Sequence, residues 1–191
     1  MKSLFLNIVL LSLPAFLPAL AEAKDCEFVP KRSFCGVSLQ ANMKQFQHAL
    51  GKPSAQIELE HGWLYVYAND RANRMTSLRF SKQRLQEIRS WELNNNIDVW
   101  SQLPNREVIH VHVAGAAVLG RLRDDQKFFN SAWIEKSADQ FGRNFNYLGA
   151  EIDVYFLPFY GPSTYSTIGG DLNNYAKYPA QTVIIRSVTT P

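Results

Sequence analysis

Behind Lys2, residues 4–20 form a nearly unbroken apolar run, and Ala21-Glu22-Ala23 follows it. A positive start, an apolar stretch and a small-x-small site are the pattern of a secretory signal peptide, with cleavage expected after Ala23 or after Ala21. As a retained anchor, the Leu4 to Ala21 stretch barely reaches spanning length, and Pro14 and Pro18 interrupt it. The leader constrains the fold because it sends the rest of the chain to an oxidising compartment. The address it implies is periplasmic or secreted, with no transmembrane segment after cleavage. Lys24-Asp25 is not the small, uncharged lead-in that a lipidated cysteine requires, so Cys26 stays available for pairing.

The chain has only two cysteines, Cys26 and Cys35, and in an exported protein they are expected to pair with each other. Redox or metal roles prefer Cys-x-x-Cys spacing or further ligands. The disulfide therefore reads as a staple at the N-terminus of the folded part. A net charge of +3 over 191 residues is too small to argue for nucleic acid as a general partner.

Asn42 to Gln45 fits a capping box. Met43, Phe46 and Leu50 recur at helical spacing, and Gly51-Lys52-Pro53 ends the helix. Ser38 is an alternative, earlier cap. Ile57 to Glu60 and Trp63 to Tyr67 read as strands, and Met75 to Phe80 with Arg84 to Trp91 as a hairpin across Ser81-Lys82-Gln83. Asn94-Asn95-Asn96 and Leu103-Pro104-Asn105 mark a boundary. Beyond it, Val108 to Ala114 predicts a strand and Asp124 to Trp133 a helix, with a turn over Ser137 to Phe141. Glu151 to Phe156 and Thr182 to Val188 predict two further strands. The expected class is α+β, with short helices packed on an antiparallel β-sheet. The expected division is a signal peptide over residues 1–23, a helix plus antiparallel meander over 24–93, and a second α+β portion over 94–191. That last portion is either separate or part of the same domain.

Phe46-Gln47-His48-Ala49-Leu50-Gly51-Lys52-Pro53, Trp63-Leu64-Tyr65, Leu78-Arg79-Phe80 and Leu85-Gln86-Glu87-Ile88 carry a family resemblance. Residues 41–88 resemble the SmpA/OmlA-type outer-membrane assembly module, whose layout also looks like the β-lactamase-inhibitor-protein fold. The resemblance implies an envelope protein that binds other proteins without catalysis. The family's Gly-Met-Thr lead-in is replaced here by Ala41-Asn42-Met43, and its lipidated cysteine is missing, so membrane attachment is not carried over.

His110-Val111-His112 is the best metal candidate, since alternate strand residues face the same way. Further ligands would have to come from His48, His61, Glu107, Glu151 or Asp153. Ile109, Val111 and Val113 explain the alternation without a metal. Glu151 and Asp153 share a strand face, as paired carboxylates in hydrolases do, but half-buried alternation gives the same pattern. Asp124-Asp125 reads as a helix cap. Among established catalytic motifs, neither a Gly-x-Ser-x-Gly elbow nor His-Glu-x-x-His is present.

Between Arg71 and Arg89, six basic residues stand against the single Glu87. Arg79 is out of phase with Leu78 and Phe80 and is expected to point outward. Arg79, Lys82 and Arg84 form a candidate binding face for an anionic partner, or a solvated edge kept basic against sheet-to-sheet pairing. Leu157 to Pro179 is rich in Tyr, Gly and Asn, and Tyr160, Tyr165 and Tyr175 are candidate contacts. The same aromatics could instead cover the core around a hairpin at Gly161-Pro162. Together these features point to an exported, non-catalytic, protein-binding envelope accessory, assembly factor or inhibitor/immunity-type protein without cofactor. Its expected partner is an envelope or exported protein, or an anionic surface. The competing reading is an exported hydrolase or metal-binding protein using His110 and His112. Expression with the native leader in an export-competent host should yield protein whose N-terminus, read by intact mass, is Lys24 or Glu22. Retention of Met1 on the exported protein would refute the signal-peptide reading.

Overall fold

A computed structural model describes residues 24–69, 74–92, 109–139, 141–156 and 179–186. The strands are β1 (Lys24–Val29), β2 (Ser33–Phe34), β3 (Val37–Ser38), β4 (Ala55–Leu59), β5 (Gly62–Asn69), β6 (Arg74–Ser81), β7 (Arg84–Glu92), β8 (Ile109–Val113), β9 (Ala116–Ala117), β10 (Trp133–Ala138), β11 (Gly142–Tyr147), β12 (Ala150–Tyr155) and β13 (Thr182–Arg186), with one helix, α1 (Met43–Leu50), among the described residues. They form a five-stranded sheet, β3-β2-β1-β8-β9, and an eight-stranded sheet, β10-β11-β12-β13-β7-β6-β5-β4. β1 runs parallel to β8, and the other pairings are antiparallel. Apolar residues of both sheets meet in one core: Cys26, Phe28, Val111 and Val113 from the smaller sheet, and Leu78, Phe80, Ile88, Ile152, Val154 and Ile185 from the larger. Thr76 ties the layers together. Its hydroxyl donates to the Ile109 carbonyl at 2.9 Å and lies 2.8 Å from the Ser90 hydroxyl.

Local chemistry accounts for the turns. Lys82 and Gln83 both have positive φ, as do Leu148 and Gly149, giving two-residue hairpins whose twist matches that of the flanking strands. Gly62 has φ +149°, and a Cβ there would lie 1.8 Å from the Phe80 carbonyl oxygen, so only glycine lets β5 run this close to β6. In α1, Gln45 N–H donates to the Asn42 side chain at 3.1 Å and Asn42 N–H donates back to Gln45 at 2.9 Å, the expected capping box. Phe46 and Leu50 are buried, and Phe46 packs on Phe80 with ring centroids 5.6 Å apart. Lys24 donates to the Ala49 carbonyl at 2.6 Å, placing a cation at the negative end of the helix.

The α+β expectation is wrong: the chain is mostly β, built on two sheets. The error lies chiefly in residues 124–133, which form successive turns rather than a helix. Asp125 takes the Phe128 N–H on its side chain at 3.1 Å, and Asn130 takes the Ala132 N–H at 3.0 Å. Such local bonds compete with the helical ladder, and Phe-Phe-Asn-Ser has little helix propensity to oppose them. The apolar residues are still buried, in an aromatic cluster of Phe128, Phe129, Trp133, Phe145 and Tyr147. Phe129 stacks on Phe145 at 5.0 Å, with the Arg143 guanidinium 4.6 Å from the Phe145 ring. Ser137 and Ala138, expected in a turn, belong to β10.

Cys26 is fully buried and bonded to Cys35, nine residues on, which fastens the β1–β2 hairpin. Replacing both cysteines with alanine is expected to lower unfolding stability by about 2.7 kcal/mol, the chain-entropy value for a loop of this size. Urea unfolding of the double variant beside the parent checks it, and an unchanged midpoint would show that the bond contributes nothing.

Candidate functional site

The outward face of the eight-stranded sheet carries most of the polar chemistry. Cross-strand register places Ile57, Leu64, Arg79, Glu87, Arg186, Glu151, Asn146 and Ile134 in one row from β4 to β10. Its centre alternates in charge: Arg79, Glu87, Arg186, Glu151. Asp153 and Arg89 add an acid and a base from the neighbouring row. Arg186 is the hub, bonded to Asp153, 3.5 Å from Glu87 and 3.9 Å from Glu151. Burial works against its charge, but Asp153, Glu87 and Glu151 outweigh it and hold the guanidinium above the usual arginine range. Asn144 donates to Asp153 at 2.6 Å and to Glu151 at 3.3 Å. Glu151 and Asp153 are thus tied to Arg186 and Asn144.

The same register explains Arg79. Its cross-strand neighbour is Glu87, but Glu87 is engaged by Arg89 at 3.1 Å and by Arg186 at 3.5 Å. Arg79 is left exposed between the buried Leu78 and Phe80, with no carboxylate partner among the described residues. Lys82 and Arg84, also exposed, sit at the β6–β7 turn beyond it. Arg84 donates to the side chain of Gln40, a neutral partner, at 2.6 Å. The three candidate cations therefore occupy one hairpin end. Tyr160, Tyr165 and Tyr175, with Arg71 and Glu107, lie outside the described residues.

His110 and His112 share the outward face of β8, while Ile109, Val111 and Val113 are buried behind it. Their neighbour is Asp25 of β1, whose Oδ1 lies 3.4 Å from His110 Nδ1 and 3.4 Å from His112 Nε2. His48, on α1, His61, at a hairpin tip, and Glu151 and Asp153, in the other sheet, are not brought to this pair. No group of three or more His, Cys, Asp or Glu side chains among the described residues is arranged to hold a metal ion. The sequence reading missed Asp25 because it reads Cys26 and Cys35 as a staple and assigns no strand there, although Cys26 and Phe28 alternate with Asp25 and Glu27 as strand residues do. Arg186 was missed as well, although its outward phase in β13 was the available signal.

A small cleft of about 190 Å³ lies beside this band, lined in part by Asp139, Gly142, Arg143, Asn144, Asp153 and Tyr155. Its carboxylates are occupied. Asp139 accepts from the Phe141 and Gly142 N–H groups at 2.7 and 2.8 Å, and Asp153 is held as above.

Burial, and after it the Arg74 guanidinium, hold His110 below the ordinary histidine value of 6.5, against the opposing pull of Asp25. With a lower pKa in the folded state, the unfolded chain takes up the proton first. Stability is therefore greatest above pH 6.5 and falls as pH drops from there toward the folded-state value. Denaturant midpoints measured from pH 7.5 to 5 should fall more steeply for the parent than for His110→Asn. Equal slopes would show that His110 does not couple to folding.

No protein-family profile and no curated protein matches this chain. Among solved structures, it is similar to a cysteine-rich secretory protein from Staphylococcus aureus subsp. aureus Mu50, at TM-score 0.45 and 10% identity over 86% of this chain and 50% of that one. It is also similar to an extracellular protein containing an SCP domain from Bacillus anthracis str. Ames, at TM-score 0.44 and 10% identity over 76% of this chain and 43% of that one. The chain spans half or less of the length of both.

Proposed function

We propose that this chain is an exported, non-catalytic binding protein of the cell envelope, an accessory, assembly or inhibitor/immunity-type protein. It engages an anionic surface of a protein partner through Arg79, Lys82 and Arg84. The observation that carries the reading is the position of Arg79: the acid opposite it is engaged by two other arginines, so its own charge faces solvent. Lys82 and Arg84 add two exposed cations at the same hairpin end, and clustered charge of one sign steers and orients an oppositely charged partner. Export is supported by the N-terminal leader pattern and by a disulfide that closes on a fully buried cysteine. The resemblance of residues 41–88 to the SmpA/OmlA-type module points the same way, toward binding of other envelope proteins.

Immobilised, disulfide-intact protein should retain a defined partner from an envelope extract of its source at low salt and release it as salt rises. The Arg79→Glu/Lys82→Glu variant, altered only at exposed positions, should retain about tenfold less of that partner. A partner held equally by parent and variant, or the absence of any salt-sensitive partner, would overturn the proposal.

A further inference from the structure

The eight-stranded sheet has two ends, and they differ. At β10 the pairing with β11 shifts register between Glu135 and Ser137, and Glu135 is bound by Arg143 at 2.5 Å. A bulge that bends an edge strand, with its charge tied down, blunts the edge against a further strand. β4 is the opposite case. Its five residues pair with β5 in unbroken register, and four of the five are exposed. Ile57 is 41% and Leu59 36% exposed, on the same face as Ala55. Gln56 and Glu58 alternate onto the other face, and Glu58 has no cation partner among the described residues. Glu60 stands exposed at the hairpin tip just beyond.

We infer that β4 is an acceptor edge for an extended segment of a partner protein, in which apolar residues alternate with Lys or Arg. Such a segment continues the main-chain ladder on the side of β4 that faces away from β5, lays its apolar residues beside Ile57 and Leu59, and sets its cations against Glu58 and Glu60. A second copy of this chain is the poorer occupant. Antiparallel pairing of β4 with another β4 keeps both Glu58 side chains on one face and brings no cation to either, since the strand Ala55–Leu59 carries none. This surface lies at the end of the sheet, two strands from Arg79, and is separate from the cationic hairpin proposed above.

The probe is a fluorescent, end-capped heptapeptide with valine at odd and lysine at even positions, titrated into the disulfide-intact protein and followed by anisotropy. Saturable binding is expected, together with slowed amide exchange over residues 55–59. Glu58→Lys and Ile57→Lys should each weaken binding by about tenfold, as should grouping the same valines and lysines into two blocks, whereas Arg79→Glu, which removes a cation from the same sheet, should not weaken it. Glu58→Gln, which removes the charge with little change in shape, should weaken it less than the reversal. Equal affinity for the alternating and block peptides, indifference to Glu58→Lys, or no saturable binding would overturn the inference. The Arg79→Glu arm separates its failure from failure of the hairpin proposal.

Discussion

The fold depends on the parallel pairing of β1 with β8. Residues 24–28 lie beside residues 109–113, and that ladder forms the middle of the smaller sheet. Without it, Phe28, Val111 and Val113 have no layer from which to face the larger sheet, and the inward side of β6, β7, β12 and β13 is left uncovered. Closing so long a loop is entropically costly, though the cost rises only slowly with loop length. Three local devices support it. The disulfide fastens the β1–β2 hairpin, Lys24 holds the end of α1, and Asp25 reaches His110 and His112 from the neighbouring strand. Each anchors a short N-terminal strand that would otherwise fray.

A second constraint governs the outward face of the larger sheet. Glu87 and Asp153 are buried, and buried carboxylates are tolerated only when they are paired and hydrogen-bonded. Arg186 serves both, and it does so because β13 lies between β7 and β12 in the sheet. The pairing order of the strands is therefore also the wiring of the charges. Glu87 is engaged from two sides, and the surplus positive charge falls on the next strand along, at Arg79.

How much of this was legible depends on where the alternation is clean. Leu78, Arg79 and Phe80 alternate without interruption, so the outward phase of Arg79 could be read directly, as could the capping box at Asn42. β10 and β11 were not readable. Ile134-Glu135-Lys136-Ser137-Ala138 has no period because a bulge falls inside it, and Gly142 to Tyr147 holds two asparagines and an arginine among its six residues. Residues 124–133 misled in a different way. Phe128, Phe129, Ala132 and Trp133 are spaced as a helix face would be, yet consecutive turns leading into β10 bring Phe128, Phe129 and Trp133 into the core with Ala132 packed at its margin, and side-chain bonds to the backbone replace the helical ones. The partners of Arg186 were invisible because they depend on which strands lie together, and no local pattern records that.

The two sheets also differ in what they leave for a partner. On the smaller sheet the outward polar groups largely satisfy one another: Asp25 with the two histidines, and Glu27 with the Gly115 N–H at 3.1 and 3.2 Å from its two oxygens. On the larger sheet, the middle strands are equally self-contained, with Arg186 and Asn144 holding the acids in place. Toward β4, among the described residues, the pattern runs short of internal partners: Arg79 loses its acid to β13, Glu58 has no cation, and Ile57 and Leu59 stand where the next strand would cover them. Desolvating unsatisfied groups is costly unless the partner matches them, whereas groups already paired gain little from a new neighbour. Both proposed contact surfaces, the Arg79 hairpin end and the β4 edge, rest on groups of this part of the sheet that the fold leaves without an internal partner among the described residues.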